Sequence, residues 1–237
     1  MGSFQHRALA LAAVAAGLLL AGCAPAGGAA PGAGGATSST TSSASGSQPS
    51  SSAPSPSTPA ALPAPTPLTK EEQMALDTDL ILAVKANDAA RVGELIAAGG
   101  DVNAKDAIQD SAFLYAGAEG FNEVLALTLA HGADVASTNR YGGTALIPAS
   151  EHGYVETVKI LIAAGVPVNH VNNLGWTAMQ EAVLLNDGGP NQQQVVSLLL
   201  AAGADPGIRD PQGRTALENA DRLGFTGLAA VIRGAGF

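Results

Sequence analysis

Sulfur, aromatic rings and charge are all scarce in this sequence. Its 237 residues include one cysteine, one tryptophan, three tyrosines and four histidines, and only 13% of them are charged. A single cysteine excludes an intramolecular disulfide and a cysteine-based metal site, and no two histidines have the HxxxH or HxH spacing of a metal site. The sequence also lacks a GxSxG nucleophile elbow, a GxxxxGK phosphate loop and a dinucleotide fingerprint. We therefore expect no enzyme, no metal ion, no cofactor and no small-molecule substrate.

Basic residues are outnumbered by acidic ones. The chain has 11 Lys and Arg against 20 Asp and Glu, which gives a formal net charge of −9 at pH 7. A protein of this charge repels the phosphates of nucleic acids and the headgroups of anionic lipids. We therefore expect no nucleic-acid partner and no membrane attachment through a basic surface.

The beginning of the chain has the pattern of an export signal. Arg7 is followed by an uncharged apolar run, Ala8 to Gly22, and then by Cys23. The run is short for a membrane span and lies where a secretory signal would. Its end, LAGC, resembles the signal of bacterial lipoproteins, which implies that residues 1–22 are a signal peptide and that Cys23 becomes the lipidated amino terminus. Cys23 would then anchor the protein in the cell membrane, on the extracytoplasmic face. An ordinary signal peptide with an incidental cysteine is the alternative.

The next segment has the composition of a tether. Residues 24–68 contain no charge and almost no large apolar side chain, and they are rich in Ser, Pro, Gly and Ala. Such a segment cannot bury enough surface to offset the cost of ordering its chain. We expect residues 23–68 to form a lipidated, disordered tether with an end-to-end distance of roughly 35 to 40 Å.

From residue 69 onwards the sequence repeats itself. Similar segments open with a hydroxyl residue every 33 residues, and a fifth is delayed by five residues. Apolar residues then fall at helical spacing, and no segment shows sustained strand alternation. A fixed period of this length indicates a repeat architecture, here of a turn followed by two antiparallel helices. The openings read TDLILA, SAFLYA, TALIPA, TAMQEA and TALENA and begin at Thr78, Ser111, Thr144, Thr177 and Thr215.

These segments resemble ankyrin repeats, whose pattern joins a DxxGxT turn, a first helix opening TPLHxA and a second helix ending LLxxGADVN. The closest copy is NRYGGTALIPASEHGYVETVKILIAAGVPVN. The resemblance implies an all-α ankyrin-repeat solenoid, built of stacked helix-turn-helix units with β-hairpin-like turns, over residues 69–237. The five repeats would span about 73–105, 106–138, 139–171, 172–209 and 210–237.

The chain departs from the family at the starts of its first helices. Ala replaces the family's Pro in repeats 2 to 5, and other residues replace its His in all five, so the Thr and His hydrogen-bonding network of the family is missing. A capping box, in which the side chains of residues i and i+3 bond each other's backbone, can satisfy a helix start instead. Three pairs have this spacing: Thr69 with Glu72, Thr177 with Gln180, and Thr215 with Glu218.

Two further features concern turns and loops. Aspartates recur at one position of the repeat, at Asp101, Asp134 and Asp205, which predicts a role in turns. The fourth repeat contains a longer connection, NDGGPNQQQ, in which Gly188, Gly189 and Pro190 are predicted to end the first helix and to place the extra residues in a loop. This loop is either a tolerated insertion or a contact element.

The resemblance also implies binding through the concave face of the stack. In ankyrin repeats the variable contact positions lie four, three and one residues before the opening hydroxyl, and seven and eight after it. Aromatic and Arg side chains at such positions are common anchors of protein interfaces. For Trp176, packing against a neighbouring turn is the alternative. The candidate protein-binding residues are Ile108, Arg140, Tyr141, Glu151, His152, Leu174, Trp176, Leu184, Arg214 and Arg222.

Together these features predict a membrane-anchored extracytoplasmic module that binds an exported or envelope protein through its concave face. The alternative is an accessory or protective protein in oxidative stress defence or toxin neutralisation, roles to which some exported bacterial ankyrin proteins are linked. An enzyme or metal carrier is a third possibility, against which the missing site motifs count.

Overall fold

The computed structural model describes residues 68–236. The predicted signal peptide, Cys23 and the tether up to residue 67 lie outside the described residues. Ten helices follow one another: α1 (Lys70–Lys85), α2 (Ala89–Ala97), α3 (Ala112–Glu119), α4 (Asn122–Ala130), α5 (Leu146–Glu151), α6 (Val155–Ala163), α7 (Ala178–Leu184), α8 (Pro190–Ala201), α9 (Ala216–Leu223) and α10 (Thr226–Gly234). None of these described helices is long and apolar enough to cross a membrane.

The helices form five hairpins that stack in two layers. Each odd-numbered helix packs on the following even-numbered helix of its own hairpin and on the odd-numbered helices of the neighbouring hairpins. The even-numbered helices contact one another in the same order. Between residues 68 and 236 no strand is present, and the β-type pairing consists of one isolated bridge between Lys105 and Ser111. The predicted all-α solenoid is therefore confirmed.

One apolar core runs through all the hairpins. It extends from Leu80 in α1 to Ile232 in α10 and includes fully buried Phe113, Leu146 and Leu199 between them. Burial of each such large side chain stabilises the fold by about 1.5–3 kcal/mol. A single hairpin leaves one side of this core open, so stacking is what closes it.

The odd-numbered helices, here called the inner helices, approach each other closely where neighbouring repeats meet. Gly117 in α3 is buried, and a Cβ atom on it would lie 2.7 Å from the Cβ of Ala145 at the start of α5. Real Cβ atoms do not approach to this distance, so any larger residue at 117 would push repeats 2 and 3 apart.

Two of the predicted capping boxes are present. Thr69 and Glu72 form a complete box at the start of α1, and Thr215 and Glu218 form one at the start of α9. Each box satisfies backbone N–H groups that the helix itself leaves unbonded. The hydrogen bonds to Thr69 and Thr215 hold the pKa values of both glutamates below the ordinary 4.5.

The third predicted box is only half formed. The Thr177 hydroxyl accepts a hydrogen bond from the Gln180 backbone N–H at 3.3 Å, as expected. The Gln180 side chain does not return to Thr177, because it donates to the carbonyl of Ile208 at 2.9 Å and to that of Arg214, in the following repeat, at 3.4 Å. Gln180 therefore links repeats 4 and 5.

The turns that follow the even-numbered, or outer, helices are stabilised by hydrogen bonds to aspartate side chains, as predicted. Asp101, Asp134 and Asp205 each accept a hydrogen bond from the backbone N–H two residues later, at 2.8–2.9 Å. Between repeats, the Asn103 side chain donates to the Gly132 carbonyl and accepts from the Asp134 N–H. The spacing between neighbouring repeats is thus defined by polar as well as apolar contacts.

The insertion of the fourth repeat is partly helical, which corrects the loop prediction. α7 ends at Leu184, before the insertion, and Pro190 is the first residue of α8. α8 has 12 residues, whereas α2, α4, α6 and α10 have 9 each. Proline suits the first position of a helix, where its missing N–H needs no partner. The extra residues therefore lengthen α8 as well as the connection.

Candidate binding groove

A groove with a volume of about 360 Å³ lies along the inner helices of repeats 2, 3 and 4. Its walls come from α3, α5 and α7 and from the turn that precedes each of these helices. The groove therefore lies where the ankyrin resemblance predicts a contact surface, on the side of the turns and first helices.

The rim of the groove is held by three polar residues that begin the turns. Asp106, Asn139 and Asn172 each accept two backbone N–H hydrogen bonds, from the residues two and four positions later, at 2.9–3.0 Å. Because each turn is closed around its own first residue, the side chains on the tip point away from it. Ile108, Tyr141 and Leu174 are the exposed apolar tips, with 47%, 52% and 51% of their surface accessible.

Arg140 is held on the rim by two neighbours. Its guanidinium lies 3.2 Å from the Asp110 carboxylate and 4.6 Å from the centroid of the Tyr141 ring. Because the Arg140 end of this ion pair is exposed to solvent, the pair contributes only about 0–1 kcal/mol to stability. Burial raises the pKa of Asp110 above its ordinary value, although Arg140 opposes this shift. The pair therefore orients Arg140 more than it stabilises the fold.

A lysine of repeat 1 contacts an aromatic residue in the wall of the groove. Lys85 donates to Asp106 at 2.7 Å, and its ammonium lies 5.5 Å from the centroid of the Tyr115 ring. Tyr115 belongs to α3 and lines the groove. Lys85 reaches these residues from α1, so repeat 1 supports the wall of the groove.

Glu181 lies deep in the groove. The residue is on α7, only 5% of it is exposed, and it lines the groove beside Glu151 and Asn172. The Asn172 carboxamide donates to its Oε1 atom at 2.7 Å. Burial, together with the nearby charge of Glu151, raises the pKa of Glu181 to about 7, although the hydrogen bond from Asn172 opposes this shift. A buried acid with a perturbed pKa in a cleft is a candidate functional group.

Repeat 5 contains a related pair outside the groove. The Asn219 carboxamide donates to the buried Asp210 carboxylate at 2.8 Å. Arg214 and Arg222 both donate to the Asn219 Oδ1 atom, at 3.0 and 3.3 Å. Burial disfavours ionisation of Asp210, but the hydrogen bonds from Asn219 and from two backbone N–H groups, together with the charge of Arg214, lower its pKa below the ordinary 3.8.

The structure brings half of the predicted contact residues into the groove. Five of them line it: Ile108, Arg140, Tyr141, Glu151 and Leu174. The other five are not among its lining residues: His152, Leu184, Trp176, Arg214 and Arg222. The predicted set thus falls into a groove cluster and a group of residues around it.

The residues outside the groove have local partners. His152 is exposed at the end of α5, with its ring 5.3 Å from that of Tyr154, and Leu184 is half-buried at the end of α7. Arg214 and Arg222 are engaged by Asn219 in the repeat 5 network.

Trp176 is half-buried and does not line the groove. Its indole Nε1 is enclosed and has no hydrogen-bond partner among residues 68–236. An interface anchor normally presents its polar edge to a partner or to water. The surroundings of Trp176 therefore favour the packing alternative over a central place in a contact patch.

Glu181 and Tyr115 were not among the predicted contact residues. Both occupy the position four residues after the opening hydroxyl, which the family pattern does not mark as a contact position. A signal for Glu181 exists in the sequence, because this acid interrupts the apolar stretch from Ala178 to Val183. Of the five other residues in that stretch all but Gln180 are apolar, and a charge at such a place is unusual unless it has a partner.

Comparison with known proteins identifies relatives of this chain. The family model described as "Ankyrin repeats (3 copies)" matches residues 80–172 and 113–210. The putative ankyrin repeat protein YahD of Escherichia coli (strain K12) is 48% identical over 56 residues, which cover 24% of this chain and 28% of that protein. The match thus spans less than a third of the curated relative.

Solved structures resemble the chain over a larger part of its length. A crystal structure of an ankyrin repeat domain from Acinetobacter baumannii AYE, at 1.00 Å resolution, is 57% identical with a TM-score of 0.65, covering 66% of this chain and 80% of that one. The crystal structure of EF0377, an ankyrin repeat protein, is 42% identical with a TM-score of 0.63, covering 65% of this chain and 78% of that one.

Proposed function

This chain belongs to the ankyrin repeat family, and we propose that it is an interaction module that binds an exported or envelope protein through the groove along α3, α5 and α7. Ankyrin repeats are interaction scaffolds, and their stacked units offer an extended concave surface to a partner. The chain therefore acts by holding another protein and not by catalysis.

The observation that carries this proposal is the meeting of contact positions from three consecutive repeats in one groove. Ile108, Tyr141 and Leu174 come from successive turns, line the groove and are each about half exposed. Neighbouring exposed apolar residues with a polar rim are characteristic of interaction sites. Tyr141 and Arg140 add the residue types that most often anchor interfaces.

The location of the module is proposed from the sequence. Lipid on Cys23 would hold the protein at the extracytoplasmic face of the membrane, since two or more acyl chains give stable anchoring. The net charge of −9 leaves the lipid as the source of membrane affinity. Residues 24–68 would then carry the repeats at a distance from the lipid surface.

Capture of a partner tests the proposal. The full-length protein is used to isolate proteins from detergent-solubilised cell envelopes, beside a groove variant, Tyr141→Ala with Leu174→Ala, and a surface control, Lys159→Ala on α6. Within residues 68–236, Lys159 forms an ion pair only with exposed Glu156, and it does not line the groove.

We expect one exported protein to be retained by the wild type and by the control and lost by the groove variant. Equal capture by all three proteins would contradict binding through the groove. The identity of the captured protein would also decide between an envelope partner and a stress-defence or toxin-related one.

A further inference from the structure

The groove contains a buried carboxyl group that lacks a cation. Glu181 is 5% exposed, and its Oε1 atom accepts one hydrogen bond, from Asn172. Among residues 68–236, no donor bonds the Oε2 atom and no Lys, Arg or His forms an ion pair with Glu181. Buried charges in folded proteins are normally paired, so this group is set up for a partner that residues 68–236 do not provide.

The Asp210–Asn219 pair of repeat 5 shows which partners a fully paired buried carboxylate has in this protein. There the Asp210 carboxylate has a side-chain amide donor in Asn219, two backbone N–H donors and an arginine, Arg214, at 3.8 Å. Glu181 has only the amide donor. The missing components are the backbone donors and the cation, and a basic side chain that enters the groove would supply the cation.

Arg140, the cationic residue that lines the groove, already interacts with residues other than Glu181. Arg140 is held by Asp110 and by the Tyr141 ring. Against this one guanidinium, the groove is lined by four acidic side chains, Asp110, Glu119, Glu151 and Glu181. The groove therefore has an excess of negative charge, which is complementary to a basic ligand.

We propose that the groove receives a lysine or arginine side chain of the bound protein, whose charged end pairs with Glu181 and Glu151. This inference rests on the proposed protein-binding function and names the chemistry of the bound segment. Leu114, Ile147 and Leu185 line the same groove and would contact the aliphatic part of the side chain. Long basic side chains bind in this way, with an apolar stem against apolar walls and the charge at a polar site.

Random peptides displayed on phage supply the probe. The library is selected on the immobilised full-length protein, and clones that no longer bind the Tyr141→Ala, Leu174→Ala variant are kept as groove binders. We expect these peptides to share a Lys or Arg at one position. Synthetic versions with that residue replaced by norleucine or citrulline, which keep the stem and lose the charge, should bind at least tenfold more weakly.

Glu181→Gln identifies the protein side of the contact, because glutamine keeps the shape and can still accept the hydrogen bond from Asn172. This variant should bind the basic peptide at least tenfold more weakly and the norleucine peptide as the wild type does. Glu123→Gln on α4 makes the same change of charge outside the groove and should leave both affinities unchanged. Glu151→Gln, at a half-buried residue, should give a smaller loss and serves as a second groove variant if Glu181→Gln folds poorly.

The outcomes separate this inference from the proposed function. Groove-binding peptides without a shared basic residue, or affinities that survive both Glu181→Gln and Glu151→Gln, would overturn the basic side-chain contact and leave protein binding through the groove in place. A selection that yields no groove-dependent peptide would count against both.

Discussion

Asn172 donates a hydrogen bond to Glu181 across nine residues of repeat 4, at 2.7 Å. In repeat 5 Asn219 donates to Asp210, also nine residues away, at 2.8 Å. Here the acid comes first in the sequence and the amide second, the reverse of repeat 4. In repeat 5 the acid begins the turn and receives backbone N–H groups, so its pKa is lowered despite burial. In repeat 4 the acid is on the helix, burial dominates and the pKa is raised to about 7. The same amide–carboxylate contact therefore accompanies a raised pKa in repeat 4 and a lowered pKa in repeat 5.

Glu181 should make the stability of the protein depend on pH near neutrality. Its pKa is about 7 in the folded protein, against 4.5 ordinarily, so between these values the folded state binds more protons than the unfolded state. The free energy of unfolding therefore falls as pH rises from about 4.5 through 7. The shift corresponds to about 3 kcal/mol.

Urea unfolding of the wild type, Glu181→Gln and Glu123→Gln at pH 5 and pH 8 measures this effect. We expect the glutamine variant at 181 to gain about 2.5 kcal/mol on the wild type between the two pH values, whereas the variant at 123 should follow the wild type. Parallel pH profiles for all three proteins would show that the carboxyl of Glu181 titrates normally.

Two glycine-to-alanine substitutions should change the stability of the protein in opposite directions. Both glycines are in helices, where alanine normally stabilises by about 0.5–1 kcal/mol. A Cβ added to Gly93 in α2 would meet no atom within 4 Å among residues 68–236 beyond its chain neighbours and its own helix backbone, so Gly93→Ala should stabilise. Gly117→Ala should destabilise by about 1–3 kcal/mol, because its Cβ would lie 2.7 Å from that of Ala145. Thermal unfolding compares them, and a Gly117→Ala protein as stable as the wild type would mean that repeats 2 and 3 separate freely.

Tyr141 and Trp176 should separate binding from stability. Tyr141 is on the groove rim and 52% exposed, so Tyr141→Ala should weaken peptide or partner binding by tenfold or more and leave the melting temperature nearly unchanged. Trp176 is half-buried outside the groove, so Trp176→Ala should lower the melting temperature and change the affinity of the folded protein less than threefold. A loss of affinity without loss of stability in Trp176→Ala would restore Trp176 as a contact residue.

Cys23 should decide where the protein is found. We expect Cys23→Ala to release the protein from membranes or to leave the precursor uncleaved, because the cysteine is the proposed site of lipid attachment. Detergent partitioning and the mass of the mature protein measure both effects. A correctly processed variant that still partitions into detergent would contradict the lipid anchor.

The architecture could be predicted from the sequence because it depends on local, repeated signals. The period of 33 residues, the helical spacing of apolar residues and the capping pairs Thr69 with Glu72 and Thr215 with Glu218 all act within one repeat. Short-range hydrogen bonds and the apolar faces of the helices are properties of the segment itself, and they are read without knowledge of its neighbours. The same holds for the turn aspartates, such as Asp101.

The contact set could be predicted only in part, because the family pattern marks positions and not surroundings. It led to Tyr141 and Leu174 on the rim, but it passed over Glu181, whose burial depends on packing between α5, α7 and the turn at Asn172. It also included Trp176, whose half-buried indole cannot be inferred from its position in the repeat.

What the sequence by itself determined is the repeat, its helices and the side of the stack that carries the variable residues. Only the tertiary structure decided that Gln180 bonds the carbonyls of Ile208 and of Arg214 in the next repeat instead of its own helix start. It also decided that the acid at 181 is enclosed with one amide donor. The physical reason is distance along the chain: these features depend on groups about 10 to 30 residues apart that stacking brings into contact, and desolvation and hydrogen bonding act on a side chain only after that contact has formed.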